Sequence, residues 1–158
     1  MVAAAATLTL TTANTGGMIF NGSAELDGKF SITSTGTSND TITGGAGADS
    51  ISAGLGNDTL SGGAGNDTVT FVSVTGLTNA DSVDGGTGTD TVTLSGNTAF
   101  AASNYFDNVK NIEKITLGNT NTLINIVTQD ALVAAAATLT LSTTNTGGMI
   151  FKERNSVV

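Results

Sequence analysis

The chain of 158 residues carries 13 acidic against 5 basic side chains, a net charge of -8 and a pI near 4.1. So few lysines and arginines exclude a phosphate-gripping surface, and with it nucleic acid and anionic membrane as partners. Histidine, cysteine, tryptophan and proline are all absent, which removes imidazole and thiolate chemistry and any disulfide, and leaves carboxylate, hydroxyl, amide and carbonyl oxygens, a set suited to calcium.

A hydrophobic fraction of 39% and a mean hydropathy of +0.17 argue against a solvated coil despite the excess of Gly, Thr, Asn and Ser. No apolar run approaches the roughly 18 residues of a membrane span. The length sets an expectation of one domain.

The opening, MVAAAATLTL, has the apolar character of a short secretory segment but lacks its basic start. The same stretch returns near the other end. Residues 2–20, VAAAATLTLTTANTGGMIF, and 133–151, VAAAATLTLSTTNTGGMIF, agree at 17 of 19 positions with an offset of 131. Duplication explains such identity and a signal sequence does not. The expectation is one module, as long as that offset, plus the beginning of the next, cut from a longer tandem array. On that reading Met1 is a cloning start, residues 152–158 leave the repeat pattern, and neither terminus is native. Alternating polarity predicts strands over 7–11, 17–20 and 30–33.

From Thr35 the chain is written in nines: TGTSNDTIT (35–43), GGAGADSIS (44–52), AGLGNDTLS (53–61) and GGAGNDTVT (62–70). A five-residue insertion, 71–75, precedes GLTNADSVD (76–84) and GGTGTDTVT (85–93). The sixth position is Asp in every unit: Asp40, Asp49, Asp58, Asp67, Asp81 and Asp90. The eighth is always aliphatic: Ile42, Ile51, Leu60, Val69, Val83 and Val92.

Nine residues divide into a six-residue turn and a three-residue strand. Glycine suits the turn because a missing Cβ permits φ > 0 and lets carbonyls converge. A strand such as Thr68-Val69-Thr70 sends its middle side chain inward and its neighbours outward. Two units then make one coil, with like turns stacked at strand spacing. The core is thin, one aliphatic per unit, and stacked carboxylates oppose it by up to about 4 kcal/mol per pair at about 4 Å and an effective dielectric of about 20. A divalent cation between them reverses that sign.

The pattern resembles the calcium-binding nonapeptide (RTX) repeat, G-G-x-G-x-D-x-U-x, of bacterial proteins exported by type I secretion. The resemblance implies an all-β fold, a parallel β-roll or right-handed β-solenoid with a short aromatic-containing insertion. It also implies calcium held by the sixth-position carboxylates and by carbonyls of the G-G-x-G stretch, here Gly45, Gly47, Gly54, Gly56, Gly63, Gly65, Gly86 and Gly88. Asp40 is then expected beside Asp58 and Asp49 beside Asp67. If the insertion loops out, Asp58 faces Asp81 and Asp67 faces Asp90. The turn before Asp81 departs from the family, since 77–80 lack its glycines.

Beyond the nines, strands are expected over 111–117, 123–127, 138–142 and 148–151, the rhythm of further coils without calcium turns. The stretch 98–110 holds Phe100, Tyr105 and Phe106, read as a short helix or a cap over the end of the core. The whole is taken as one solenoid module over 1–158, with repeats at 35–93 and flanking strands at 1–34 and 94–158.

Three rival readings are weaker. GGAGAD as a phosphate loop lacks the following Lys and helix. Asp81 with Asp84 could form a catalytic carboxylate pair, and Glu113 beside Lys114 is the other acid–base candidate, but they read better as a degenerate turn and a solvated strand edge. Outward Thr-x-Thr triplets at 41–43, 68–70 and 91–93 could bind ice or glycan, but Ser50, Ser52 and Ser61 interrupt their rows. The expected function is therefore non-enzymatic: a calcium-stabilised repeat module of a secreted or cell-surface bacterial protein, a spacer in a surface layer (S-layer) or adhesin that folds outside the cell. Its partners would be calcium, neighbouring copies of the module and cell-surface polysaccharide or self-assembly contacts. The alternative is an accessory domain of a secreted enzyme whose catalytic domain lies elsewhere.

Overall fold

A computed structural model describes residues 3–13, 15–73, 75–95, 105–118, 124–128, 130–133, 137–143 and 148–153. Strands β1 (Thr7–Thr12), β3 (Lys29–Ser34), β5 (Ser50–Ser52), β7 (Thr68–Phe71), β9 (Thr91–Leu94), β11 (Lys114–Leu117) and β13 (Thr140–Thr143) form a seven-stranded sheet in that order. A second sheet runs β2 (Ile19–Asn21), β4 (Thr41–Thr43), β6 (Thr59–Ala64), β8 (Ser82–Thr87) and β10 (Val109–Lys110). β12 (Ile124–Thr128) pairs with β14 (Met149–Glu153). Every pairing is parallel, and through β11 successive strands alternate between the two large sheets. The chain is an all-β parallel solenoid of about five turns, the β-roll expected from the repeat.

The period of nine explains this winding. The eighth-position side chains all point inward, each at most 1% exposed. Register stacks them in two columns: Ile32, Ile51, Val69, Val92 and Ile115 in one sheet, and Phe20, Ile42, Leu60, Val83 and Val109 in the other. The two columns meet in one apolar core. Burying each of these side chains contributes about 1.5 to 3 kcal/mol.

The observed elements depart from the expected ones in four places. β6 and β8 run six residues and continue into the following turn, where Gly63 pairs with Gly86 and Ala64 with Thr87. Stacked glycines let the turn backbone approach closely enough to keep the ladder. The insertion begins at Val72, 61% exposed, because Phe71 completes β7, lies opposite Leu94 and is fully buried. The stack continues across it: the step from Asp67 to Asp90 is 23 in sequence, where that from Asp49 to Asp67 is 18.

The expected strand 111–117 is shortened to β11, because β10 ends at Lys110 and a corner follows at Asn111, whose φ of 55° lies in the left-handed region that Asn tolerates. In the aromatic stretch, 105–108 form a turn, Phe106 is buried and Tyr105 packs on the core, while Phe100 lies outside the described residues. No helix is described in 105–110. The helical element among the described residues is instead a 3-10 turn, Asp130–Leu132, whose Leu132 is buried. No helix among the described residues is long and apolar enough to cross a membrane.

Candidate metal centre

Each sixth-position aspartate immediately precedes a strand. Asp40, Asp58 and Asp81 precede β4, β6 and β8 on one edge, and Asp49, Asp67 and Asp90 precede β5, β7 and β9 on the other. All six are at most 3% exposed. One oxygen of each is structural. Asp58 Oδ1 accepts the Asp40 backbone N–H at 2.8 Å, and Asp81 Oδ1 that of Asp58 at 2.7 Å. On the other edge Asp67 Oδ1 accepts from Asp49 and Asp90 Oδ1 from Asp67, both at 2.8 Å. The ladders begin at Met18, whose N–H reaches Asp40 Oδ1, and Phe30, whose N–H reaches Asp49 Oδ1, both at 2.7 Å. The four expected neighbour pairs thus stand one coil apart, and a short buried carboxylate clamps each coil to the one before it.

The second oxygens divide the set. Asp49 Oδ2 accepts the Gly45 N–H at 2.7 Å. Asp81 Oδ2 accepts from the Thr78 N–H at 2.6 Å and the Thr78 hydroxyl at 3.0 Å, closing the glycine-poor turn on itself. Oδ2 of Asp40, Asp58, Asp67 and Asp90 is buried with no hydrogen-bond partner among the described residues. A buried anionic oxygen without a donor is expensive. Four at one repeat position, two on each edge, point to a cation.

The space beside Oδ2 of Asp67 and Asp90, and of Asp49, is kept by first-position glycines, whereas Thr35 and Ala53 hold that position in the units of Asp40 and Asp58. A Cβ at Gly62 would lie 2.3 Å from Asp67 Oδ2 and 2.5 Å from the Gly85 carbonyl oxygen. At Gly85 it would lie 2.8 Å from Asp90 Oδ2 and 2.0 Å from the Asn111 carbonyl oxygen, and at Gly44, 2.4 Å from Asp49 Oδ2. Gly44, Gly62 and Gly85 therefore belong to the candidate site, although the sequence pattern was weighted only at the second and fourth positions. The doubled glycine that opens 44–52, 62–70 and 85–93 was the available signal.

At those other positions, Gly54, Gly56, Gly63, Gly65, Gly86 and Gly88 have left-handed φ, from 87° to 141°. Gly45 and Gly47 are needed for space: a Cβ would meet the Glu25 carbonyl oxygen at 2.9 Å and that of Gly28 at 2.0 Å. Carbonyls of successive turns stack against these glycines, and at Gly62 and Gly85 one Cβ position would meet both a carboxylate Oδ2 and a backbone carbonyl oxygen.

Burial pushes the Asp67 carboxyl up to about 7, the N–H of Asp49 offsetting part of this while Asp90 and Asp49 repel it. Burial likewise raises Asp58 to about 6, against the Asp40 N–H and with repulsion from Asp40 and Asp81. Asp90 is raised by burial, with Glu113 and Asp84 adding repulsion. These carboxylates are destabilised as anions unless a positive charge joins them. No three acidic side chains converge on one point among the described residues, so the six to eight oxygens that calcium takes must be completed by backbone carbonyls. The donor set, carboxylate plus carbonyl with glycine-lined space, fits that ion.

Glu113 continues the Asp49 edge. It is 8% exposed and its Oε2 accepts the Asp90 N–H at 2.8 Å, which corrects its reading as a solvated strand edge. The turn before it is cut short, and Asn111 stacks directly on Gly85, so the period of nine no longer finds it. Its signal is the phrase Glu113-Lys114-Ile115-Thr116, which keeps the acid-x-aliphatic-x phase of Asp90-Thr91-Val92-Thr93. Asp84 faces away from the ladder, with Lys110 Nζ at 2.9 Å and Asn111 Nδ2 at 2.7 Å. Burial acts to raise its carboxyl, but those two partners outweigh it and hold it below the usual range. Asp81 and Asp84 are each committed to separate partners, not to a shared substrate position.

Residues 34–69 and 73–97 match the RTX calcium-binding nonapeptide repeat, in four copies. Neither a curated protein nor a solved structure matches the chain. The middle of the chain consists of RTX repeats, which are calcium-binding, and the ion they take is Ca2+.

Proposed function

We propose that the chain is a structural module of a secreted or cell-surface bacterial protein, a spacer of the S-layer or adhesin kind, with no catalytic role of its own. The observation that carries the reading is the set of four buried Oδ2 atoms, on Asp40, Asp58, Asp67 and Asp90, that lack a donor. Bound calcium supplies the positive charge these oxygens lack. The chain's part is to present them: Oδ1 locks adjacent coils, first-position glycines keep the space open, and carbonyls of the stacked turns stand beside it. The supporting site residues are the six aspartates and the turn glycines of 44–47, 53–56, 62–65 and 85–88.

Such a module is loose where calcium is scarce and ordered where it is abundant, since binding free energy becomes folding free energy. A chain destined for type I export gains from this, passing the exporter unfolded and winding outside. The duplication of residues 2–20 at 133–151 supports an array of copies over an isolated accessory domain. Calorimetric calcium titration with circular dichroism in parallel tests the reading. At least two ions per chain and a calcium-dependent gain of β signal are expected. Full β content in chelator, unchanged by calcium, would remove it.

A further inference from the structure

The two copies of the duplicated segment lie at opposite edges of one sheet. β1 is the first strand of the seven-stranded sheet, and β13, its near-copy in the second occurrence of the segment, is the last. Each uses a different side. In β1, Leu10 lies beside Ile32 of β3. In β13, Leu141, the counterpart of Leu10, lies beside Ile115 of β11. The same holds for the shorter strands: Phe20 of β2 lies beside Ile42 of β4, while its counterpart Phe151 in β14 lies beside Ile126 of β12. One sequence is therefore seen with each of its two neighbours in turn.

We propose that the open side of β1 and β2 is the seat of the last coil of a second copy of the duplicated module, so that consecutive copies merge into one uninterrupted solenoid without a linker. This deepens, and rests on, the reading of the chain as a structural repeat module. The inner column closes on itself in phase. From Leu10 it steps through Ile32, Ile51, Val69, Val92 and Ile115 to Leu141, where the next module starts again at the counterpart of Leu10. Six coils then advance the solenoid by about 29 Å at a strand spacing of about 4.8 Å.

The ends bear the marks of surfaces meant to be covered. Leu8, on the same face of β1 as the inner-column Leu10, is 45% exposed, and Phe151 on β14, the counterpart of the inner-column Phe20, is 46% exposed. Leu8, Phe20 and Phe30 line an open cavity on the first coil. An unpaired strand edge carrying apolar side chains invites a further strand, and the strand that fits β1 is already seen against its duplicate.

The test is a double-length chain, residues 1–151 followed directly by residues 21–158, compared with the single chain by small-angle scattering in millimolar calcium chloride. The expected result is a maximum dimension longer by about 29 Å at unchanged cross-section. Leu141→Asp should lower the thermal midpoint further in the double chain, where Leu141 is enclosed between Ile115 and the second copy's Ile32, than in the single chain. A scattering profile of two separate bodies, equal shifts for the substitution, or a double chain that fails to fold while the single chain folds would each overturn the inference and leave the calcium reading standing. The same growth in length in chelator would support the seam and remove the calcium reading.

Discussion

Glu113 accepts the Asp90 backbone N–H through Oε2 at 2.8 Å, the bond that Asp90 in turn offers Asp67 and Asp67 offers Asp49. The longer side chain takes over where the turn is shortened, so the clamp between coils outlives the nonapeptide pattern. Glu113→Ala strands a buried N–H and should destabilise the calcium-loaded chain by about 1 to 3 kcal/mol, whereas Glu113→Gln keeps a carbonyl acceptor and should cost under about 1 kcal/mol. Denaturant midpoints in calcium check this. Equal losses for the two variants would mean that Glu113 holds nothing through its oxygen.

Asp67→Asn separates the two duties of that carboxylate. Asn retains an acceptor for the Asp49 N–H and replaces the partnerless, charged Oδ2 by an amide. In chelator the variant should be more stable than the parent, because a desolvated and repelled anion is gone. In calcium the order should invert, with affinity at the Asp67 edge lowered tenfold or more, about 1.4 kcal/mol per tenfold. Thermal melts in both conditions suffice. A loss of stability in both would show that Oδ2 serves the coil and not an ion.

The raised carboxyls also set a pH dependence. In the calcium-free chain Asp67 titrates near 7 and Asp58 near 6, against 3.8 as the ordinary value. A folded-state value above the unfolded one means the folded chain binds protons more readily, so protonation favours folding. The penalty of the two anions is present in full above about pH 7, begins to lift as pH falls through 7 and 6, and is gone below 3.8. Calcium competes with those protons, so its apparent affinity should fall over the same window. Chemical denaturation in chelator between pH 8 and pH 5 should give rising stability on acidification, and calcium titrations should give weaker binding. A flat profile in chelator would contradict the burial of these groups as anions.

How far the fold could be read from the chain follows from what each part of it repeats. Ile42, Ile51, Leu60, Val69, Val83 and Val92 were legible as core because turn and strand share one period, and all six are at most 1% exposed. The Asp pairings were legible for the same reason, including the step across the insertion to Asp81 and Asp90. Phe71 was misplaced in the loop because nothing local distinguishes a fourth strand residue from the first residue of an insertion. The corner at Asn111 and the ladder role of Glu113 were hidden because that coil spans 23 residues where the regular one spans 18, while its last turn keeps only 111–113, and a fixed period cannot report a lengthening and a shortening in the same coil. The division of second oxygens, Asp49 and Asp81 engaged and four others not, depends on turn geometry that the identical letter Asp does not encode.

The first-position glycines supply the sharpest steric test. Gly62 carries no left-handed φ, so alanine there is free of backbone strain. Its Cβ would nonetheless fall 2.3 Å from Asp67 Oδ2 and 2.5 Å from the Gly85 carbonyl oxygen, well inside contact distance, with a backbone atom on one side that cannot swing away. Gly62→Ala should therefore cost about 1 to 3 kcal/mol through overpacking, and should also abolish calcium uptake at that turn, because the methyl group occupies the space between the oxygens. Gly16, where a Cβ would meet nothing within 4 Å, is the control, and Gly16→Ala should stay within about 0.5 kcal/mol. Calcium stoichiometry distinguishes the two effects of Gly62→Ala. One ion fewer than the parent, with the remaining sites still titrating, is expected, whereas full stoichiometry at lowered stability would place the ion elsewhere on the solenoid.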